Sequence, residues 1–99
     1  MEKGGYVYII TNKHHTTLYT GVTSDLRSRL WQHKTKYYPN SFSARYNLDK
    51  LIYFEAYSTI EDAIDMEKVM KGKSRAKKEK MISEQNPDWK DLGVEVEDW

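Results

Sequence analysis

The chain has ninety-nine residues and a mass of 11.8 kDa, enough for one domain around one core. It has no cysteine, which excludes disulfides and thiolate metal sites. Its apolar runs are four or five residues at most, which excludes a membrane-spanning helix. The net charge of +1 conceals an asymmetry: residues 1–80 hold 15 Lys/Arg against 9 Asp/Glu, whereas residues 81–99 hold one Lys and six acids. A basic body with an acidic end is a pattern of nucleic-acid binders, and also of an ordinary solvated surface with a frayed end.

The opening Met1-Glu2-Lys3-Gly4-Gly5 shows no apolar signal stretch, so the cytoplasm is the expected compartment. Tyr6–Ile10 is β-branched and aromatic and reads as a strand. Thr11–Thr17 is turn-like, and Leu18–Thr23 reads as a second strand. The short connection implies an antiparallel hairpin. Thr23 or Ser24 is the expected cap of a helix to about Lys34. Residues 35–48 form a long polar and aromatic loop, and Leu51–Tyr57 a third strand. Ser58 and Glu61 have capping-box spacing and open a helix that stops near Gly72. Ser74 caps a further basic helix to about Glu84, stopped by Asn86-Pro87. The order β-β-α-β-α-α predicts an α+β fold, a three-stranded antiparallel sheet flanked by helices.

Two helices carry charge on their apolar faces. Leu26, Arg29, Leu30 and His33 lie at i, i+3, i+4 and i+7, as do Ile60, Ala63, Ile64 and Glu67. A carboxylate among apolar neighbours needs a cation beside it, unless the stripe has ended and Glu67 reaches solvent. Arg29 alone fits a residue snorkelling at a core edge, and His33 alone a satisfied structural histidine. Taken together with the tyrosine hydroxyls of the facing strands, these side chains suit phosphoryl transfer. Arg neutralises a phosphate, Glu holds a divalent cation, and Tyr or His moves a proton.

Tyr6-Val7-Tyr8 and Tyr19-Thr20-Gly21 resemble the two short signatures of the GIY-YIG nuclease domain, and Leu26-Arg27-Ser28-Arg29-Leu30 is similar to the family's arginine-bearing helix. The resemblance runs from residue 5 to about 85. It is strongest to small single-domain bacterial proteins similar to an N-terminal domain of the excinuclease ABC complex, whose endings the stretches 74–80 and 86–92 also resemble. It implies residues 1–85 as a nuclease-like domain and 86–99 as an acidic C-terminal tail. It further implies a metal-dependent DNA endonuclease, acting in repair or recombination, with one Mg²⁺ or Mn²⁺. In that reading Tyr8 and Tyr19 line the site, and one of them orients or deprotonates the attacking water, its pKa lowered by Arg29 and the metal. Arg29 contacts the scissile phosphate, His33 assists proton transfer, Glu67 binds the metal, and Gly21 allows close packing. The chain departs from the family pattern at Tyr6, where the name-giving glycine stands, and at Val22, where some members carry Lys. Asn86 is given no catalytic part.

Residues 67–80 hold seven Lys/Arg and two Glu, a candidate track for a phosphate backbone through Lys71, Lys73, Arg75, Lys77 and Lys78, or a solvated helix face. Arg45, with Tyr37, Tyr38, Phe42 and Tyr46, marks a loop that either stacks on bases and clamps a backbone or covers the sheet. His14 and His15 read as surface residues, Trp31 and Trp89 as packing residues, and Trp99 as disordered. DNA is the expected partner, with no membrane and with a second protein to supply specificity. Two other classes stay open: a non-catalytic nucleic-acid-binding module and a protein-interaction subunit.

Overall fold

The computed structural model describes residues 4–99. Strands β1 (Gly5–Thr11) and β2 (Leu18–Thr23) form the expected hairpin. Strand β3 (Lys50–Tyr57) pairs antiparallel on the other side of β1, giving the order β2-β1-β3. The expected three-stranded antiparallel α+β architecture is therefore the observed one. A bulge at Ile9/Ile10 shifts the β1–β3 register by one residue.

Because β1 is central, both of its faces are covered. Val7 and Ile9 meet Ala63 and Met70 of α3 (Ile60–Lys71) and Ile82 of α4 (Arg75–Gln85). Tyr8 and Ile10 meet Leu26 and Leu30 of α1 (Leu26–Thr35), together with Leu48, Leu51 and Val96. This double coverage explains why the segment is apolar at nearly every position rather than alternating.

Several boundaries differ from expectation, each for a local reason. Asp25 caps α1, accepting from the Ser28 amide through Oδ1 and from the Ser28 hydroxyl through Oδ2. Thr59, not Ser58, caps α3, its hydroxyl accepting from the Asp62 amide at 3.2 Å. The core-facing stripe of α3 runs through Ile60, Ala63, Met66 and Met70, and Ile64 is exposed. The long loop contains a short helix, α2 (Phe42–Arg45), capped by Ser41. Trp31 is exposed rather than packed, and His15, at the surface, has its ring 5.0 Å from that of Trp89.

The acidic end does not trail away from the body. The short helix α5 (Gly93–Val96) buries Val96, and Trp99 lies 5.5 Å from the rings of both Tyr6 and Phe54. Polar side chains from this end occupy the open edge of β3. Gln85 bonds both the amide and the carbonyl of Phe54, Asn86 donates to the carbonyl of Ile52, and Asp91 accepts from the amide of Leu51. Side-chain amides and a carboxylate thus supply the pairing that a fourth strand would give, and blunt an edge that would otherwise template aggregation. Asp91 also holds Lys34 of α1 at 2.9 Å and the Gly93 amide. Asp91→Ala is expected to cost about 1–3 kcal/mol, because it orphans two amides and an ammonium. Asp91→Asn, which keeps an acceptor, should cost less. Chemical denaturation of the two variants gives the comparison.

Candidate active site

The hairpin and α1 bring four of the five proposed catalytic residues together. Tyr8 and Gly21 are directly opposed across the β1–β2 ladder. A Cβ on Gly21 would lie 2.5 Å from Cζ and Oη of Tyr8. The missing side chain at Gly21 is therefore what lets the Tyr8 ring lie flat across β2. The backbone of Gly21 is unstrained, so close approach, not torsional freedom, demands glycine here.

From α1, His33 turns its ring between Tyr8 and the loop. Tyr8 Oη is 2.9 Å from His33 Nε2, and His33 Nδ1 is 2.8 Å from Ser43 Oγ. Tyr8 is buried and has no other hydrogen-bond partner among the described residues, so its hydroxyl donates to Nε2. The imidazole proton then resides on Nδ1 and is donated to Ser43. Burial, with the nearby Arg29 guanidinium adding to it, pushes His33 down to about 4, so the ring is neutral at physiological pH. Burial drives the Tyr8 phenol the other way, far above the ordinary tyrosine range. The neighbouring Tyr19 and Glu67 reinforce that rise, and Arg29 only partly opposes it. Of the two lowering influences expected, the arginine by itself is outweighed at Tyr8 by desolvation.

Two consequences follow for His33. Its midpoint, followed by NMR, is expected near pH 4, and a midpoint near 6.5 would contradict the packing described. The depressed value also sets the sign of its linkage to stability. The unfolded chain binds the proton more readily, so this group's contribution is complete above about pH 6.5. It is lost progressively as the pH falls from there towards 4.

Tyr19, Arg29, Gln32, His33, Tyr38, Ser41, Phe42 and Ser43 line a cleft of about 110 Å³. That is well below the roughly 300–1,000 Å³ of drug-sized ligand sites, and suits a group the size of a phosphate. Arg29 is half-buried on its wall, and none of the ion pairs among the described residues engages it. Its guanidinium is available to an anion. Glu67 stands on α3, with its side chain 15% exposed and paired to Lys71 at 3.3 Å. The needed cation of the sequence argument is thus, in this state, a lysine one turn away. Glu67 is not among the residues lining the cleft, yet it lies close enough to Tyr8 to disfavour the phenolate.

No three His, Asp or Glu side chains gather as a ligand cluster among the described residues. One carboxylate is nevertheless the donor set that Mg²⁺ uses when water and substrate phosphate supply the rest of its shell.

Ser43 was not legible as part of the site. It sits in an aperiodic loop, and the only local signal is the Ser41 cap two residues earlier, which turns Ser43 inward. The basic residues proposed for nucleic-acid contact differ in their exposure and in the partners they hold. Arg75 is committed to structure, donating to the carbonyls of His15 and Thr16 and pairing with Glu79. Lys71 is paired with Glu67, Lys73 and Lys78 are half-buried, and Lys77 and Arg45 are exposed.

The model of the GIY-YIG catalytic domain matches residues 4–80. The chain belongs to the GIY-YIG family. Two UPF0213 proteins of Streptococcus pneumoniae, from serotype 4 (strain ATCC BAA-334 / TIGR4) and from strain ATCC BAA-255 / R6, are each 32% identical to it. Each of these alignments covers all of this chain and 97% of the relative. No solved structure matches. The GIY-YIG match takes in Tyr8, Tyr19, Gly21, Arg29, His33 and Glu67, and ends inside α4. The edge-covering segment from Gln85 onward therefore lies outside the GIY-YIG match but within the alignment to the two streptococcal relatives. The GIY-YIG family is a nuclease superfamily whose members are in general dependent on a divalent metal. No helix among the described residues is long and apolar enough to cross a membrane.

Proposed function

We propose that the chain is a metal-dependent DNA endonuclease that hydrolyses a phosphodiester bond at the Tyr19–Arg29–His33 cleft. The observation that carries this reading is the hydrogen-bonded series Tyr8–His33–Ser43 beside an arginine not engaged in an ion pair. A binding module has no need of a desolvated phenol aimed at a neutral imidazole. A phenol hydrogen-bonded to an imidazole beside a phosphate-sized cleft can relay a proton.

In this mechanism Arg29 binds the scissile phosphate and stabilises the charge that grows on its oxygens. Tyr19, on the cleft wall, orients the attacking water. That water gives its proton to Tyr8 Oη as the phenol proton passes to His33 Nε2, so Tyr8 never stands as an isolated phenolate. Ser43 keeps Nδ1 protonated and Nε2 free to accept. Glu67 would hold one Mg²⁺ or Mn²⁺, whose chemistry is to polarise the phosphate and stabilise the leaving oxygen. To hold the ion, Glu67 would have to release its pair with Lys71.

DNA follows from the family, and a partner protein supplies the specificity that a single small domain does not. Repair or recombination is the setting that the excinuclease resemblance suggests.

The test is conversion of supercoiled plasmid and of labelled single strands by the purified chain in Mg²⁺, in Mn²⁺ and in EDTA. Cleavage in either metal and none in EDTA is expected. Salt-sensitive DNA binding with no cleavage in either metal would replace this reading with the non-catalytic binding module.

A further inference from the structure

Five aromatic rings stand about half exposed on one side of the molecule: Trp31 and Tyr37 at 56%, Tyr38 at 53%, and Phe42 and Tyr46 at 49%. They are not scattered. Trp31 and Tyr37 have centroids 5.5 Å apart, Tyr37 and Tyr38 meet edge-on at 4.9 Å, and Phe42 and Tyr46 are 4.6 Å apart. Helix α1 ends in a left-handed Lys36 that closes its last carbonyls. The chain that follows folds back so that Tyr37 lies against Trp31. Exposed rings in two groups, which meet at the cleft that Tyr38 and Phe42 both line, mark an interaction site.

Its position says with what. Arg27, Ser28, Trp31, Gln32 and Tyr37 line an open groove, and Gln32 also lines the phosphate-sized cleft, with Tyr38 and Phe42 on that side. The two depressions share a wall and form one path. Neither is lined by a carboxylate, and each carries an arginine, Arg27 in the groove and Arg29 in the cleft. A further arginine, Arg45, is exposed on α2, next to Tyr46 in the chain. Rings interleaved with arginines complement a chain that alternates flat bases with phosphates. Bases within a continuous duplex have their faces covered by their neighbours and offer none to these rings.

Building on the nuclease reading above, we infer that this path takes unpaired bases next to the scissile phosphate, so that the substrate class is single-stranded or locally unpaired DNA. The rings fix the strand by stacking on bases without reading their identity, and Arg29 receives the phosphate that follows.

The experiment uses the native chain in EDTA, where no cleavage is expected. Binding is measured by fluorescence anisotropy to three probes of about 12 nucleotides, within the usual site-size range. These are a thymidine oligonucleotide, an abasic oligonucleotide with the same phosphates, and a blunt duplex. The thymidine strand is expected to bind at least about 10-fold more tightly than either of the others. It should also quench tryptophan fluorescence, and that quenching should be lost in Trp31→Phe. Tyr37→Leu and Tyr38→Leu should each weaken the thymidine strand about 5- to 150-fold and leave the abasic strand nearly unchanged. Both rings are exposed, so melting temperatures should hold.

Equal binding of thymidine and abasic strands, or tighter binding of duplex, would overturn the inference. So would sedimentation showing a dimer that Tyr37→Leu makes monomeric, because the face would then belong to a second copy. In each of these cases metal-dependent cleavage of plasmid still upholds the nuclease reading. Failure to bind any of the three probes at low salt would end both.

Discussion

Arg29→Ala is expected to slow DNA cleavage by about 100- to 1,000-fold under single-turnover conditions with metal in excess. The guanidinium lines a cleft that holds no carboxylate, so its charge is met by substrate and not by the protein. Its value therefore grows as charge develops on the phosphate, and the loss should fall on the rate more than on the affinity. Arg29→Lys should recover only part of the rate, since an ammonium restores charge without the planar fork that grips two oxygens at once. The change to Ala also removes a positive charge beside His33, whose midpoint should rise from about 4. A loss of less than about tenfold in Arg29→Ala would show that phosphate charge is met elsewhere.

Gly21→Ala is expected to damage both stability and activity although it adds one methyl group. That methyl would stand 2.5 Å from the Tyr8 ring and hydroxyl, in a strand pair clamped between α1 and α3. The ring has to swing away, at a cost of about 1–3 kcal/mol for overpacking. The same movement takes Tyr8 Oη from its 2.9 Å contact with His33. Cleavage should fall by about 100-fold or more, as for removal of a positioned proton-transfer group. The His33 signal should shift in NMR spectra of the protein that remains folded. Native melting behaviour with native cleavage would mean that the Tyr8 ring is not held over Gly21 as described.

What could be read in the sequence follows from periodicity and from short signatures. The strand and helix order was legible because Tyr6–Ile10 and Leu51–Tyr57 are β-formers and the helical stripes are regular. Tyr8, Tyr19, Arg29 and His33 were legible because a signature or an i, i+4 spacing singles each of them out. Glu67 was legible as an anomaly, but its surroundings were not. On α3 Met66, not Ile64, packs on the core, and Glu67 lies at the flank of the buried stripe and pairs with Lys71. The desolvation of Tyr8 was not legible, because a nearby arginine is visible in a sequence and the depth of burial is not. Ser43, Gln85, Asn86 and Asp91 carry no periodic signal. Their parts depend on single hydrogen bonds to distant residues, such as Asp91 to the Leu51 amide, which composition cannot announce. The acidic end reads as a tail for the same reason, although its polar side chains complete the sheet.

The central claim is that a divalent ion held by Glu67 serves a phosphodiester cleavage made by the Tyr8–His33 pair and Arg29. Its most direct test compares native and Glu67→Gln protein on one labelled oligonucleotide in Mg²⁺ and in EDTA, with binding and thermal melting recorded alongside. The native chain should cleave only with metal, and Glu67→Gln should cleave at least about 100-fold more slowly. The variant should still bind the oligonucleotide, and it should lose little stability, because the exposed Lys71 contributes only about 0.3–0.5 kcal/mol through its helix pair. Cleavage by Glu67→Gln at the native rate, or cleavage by the native chain in EDTA, would contradict the account.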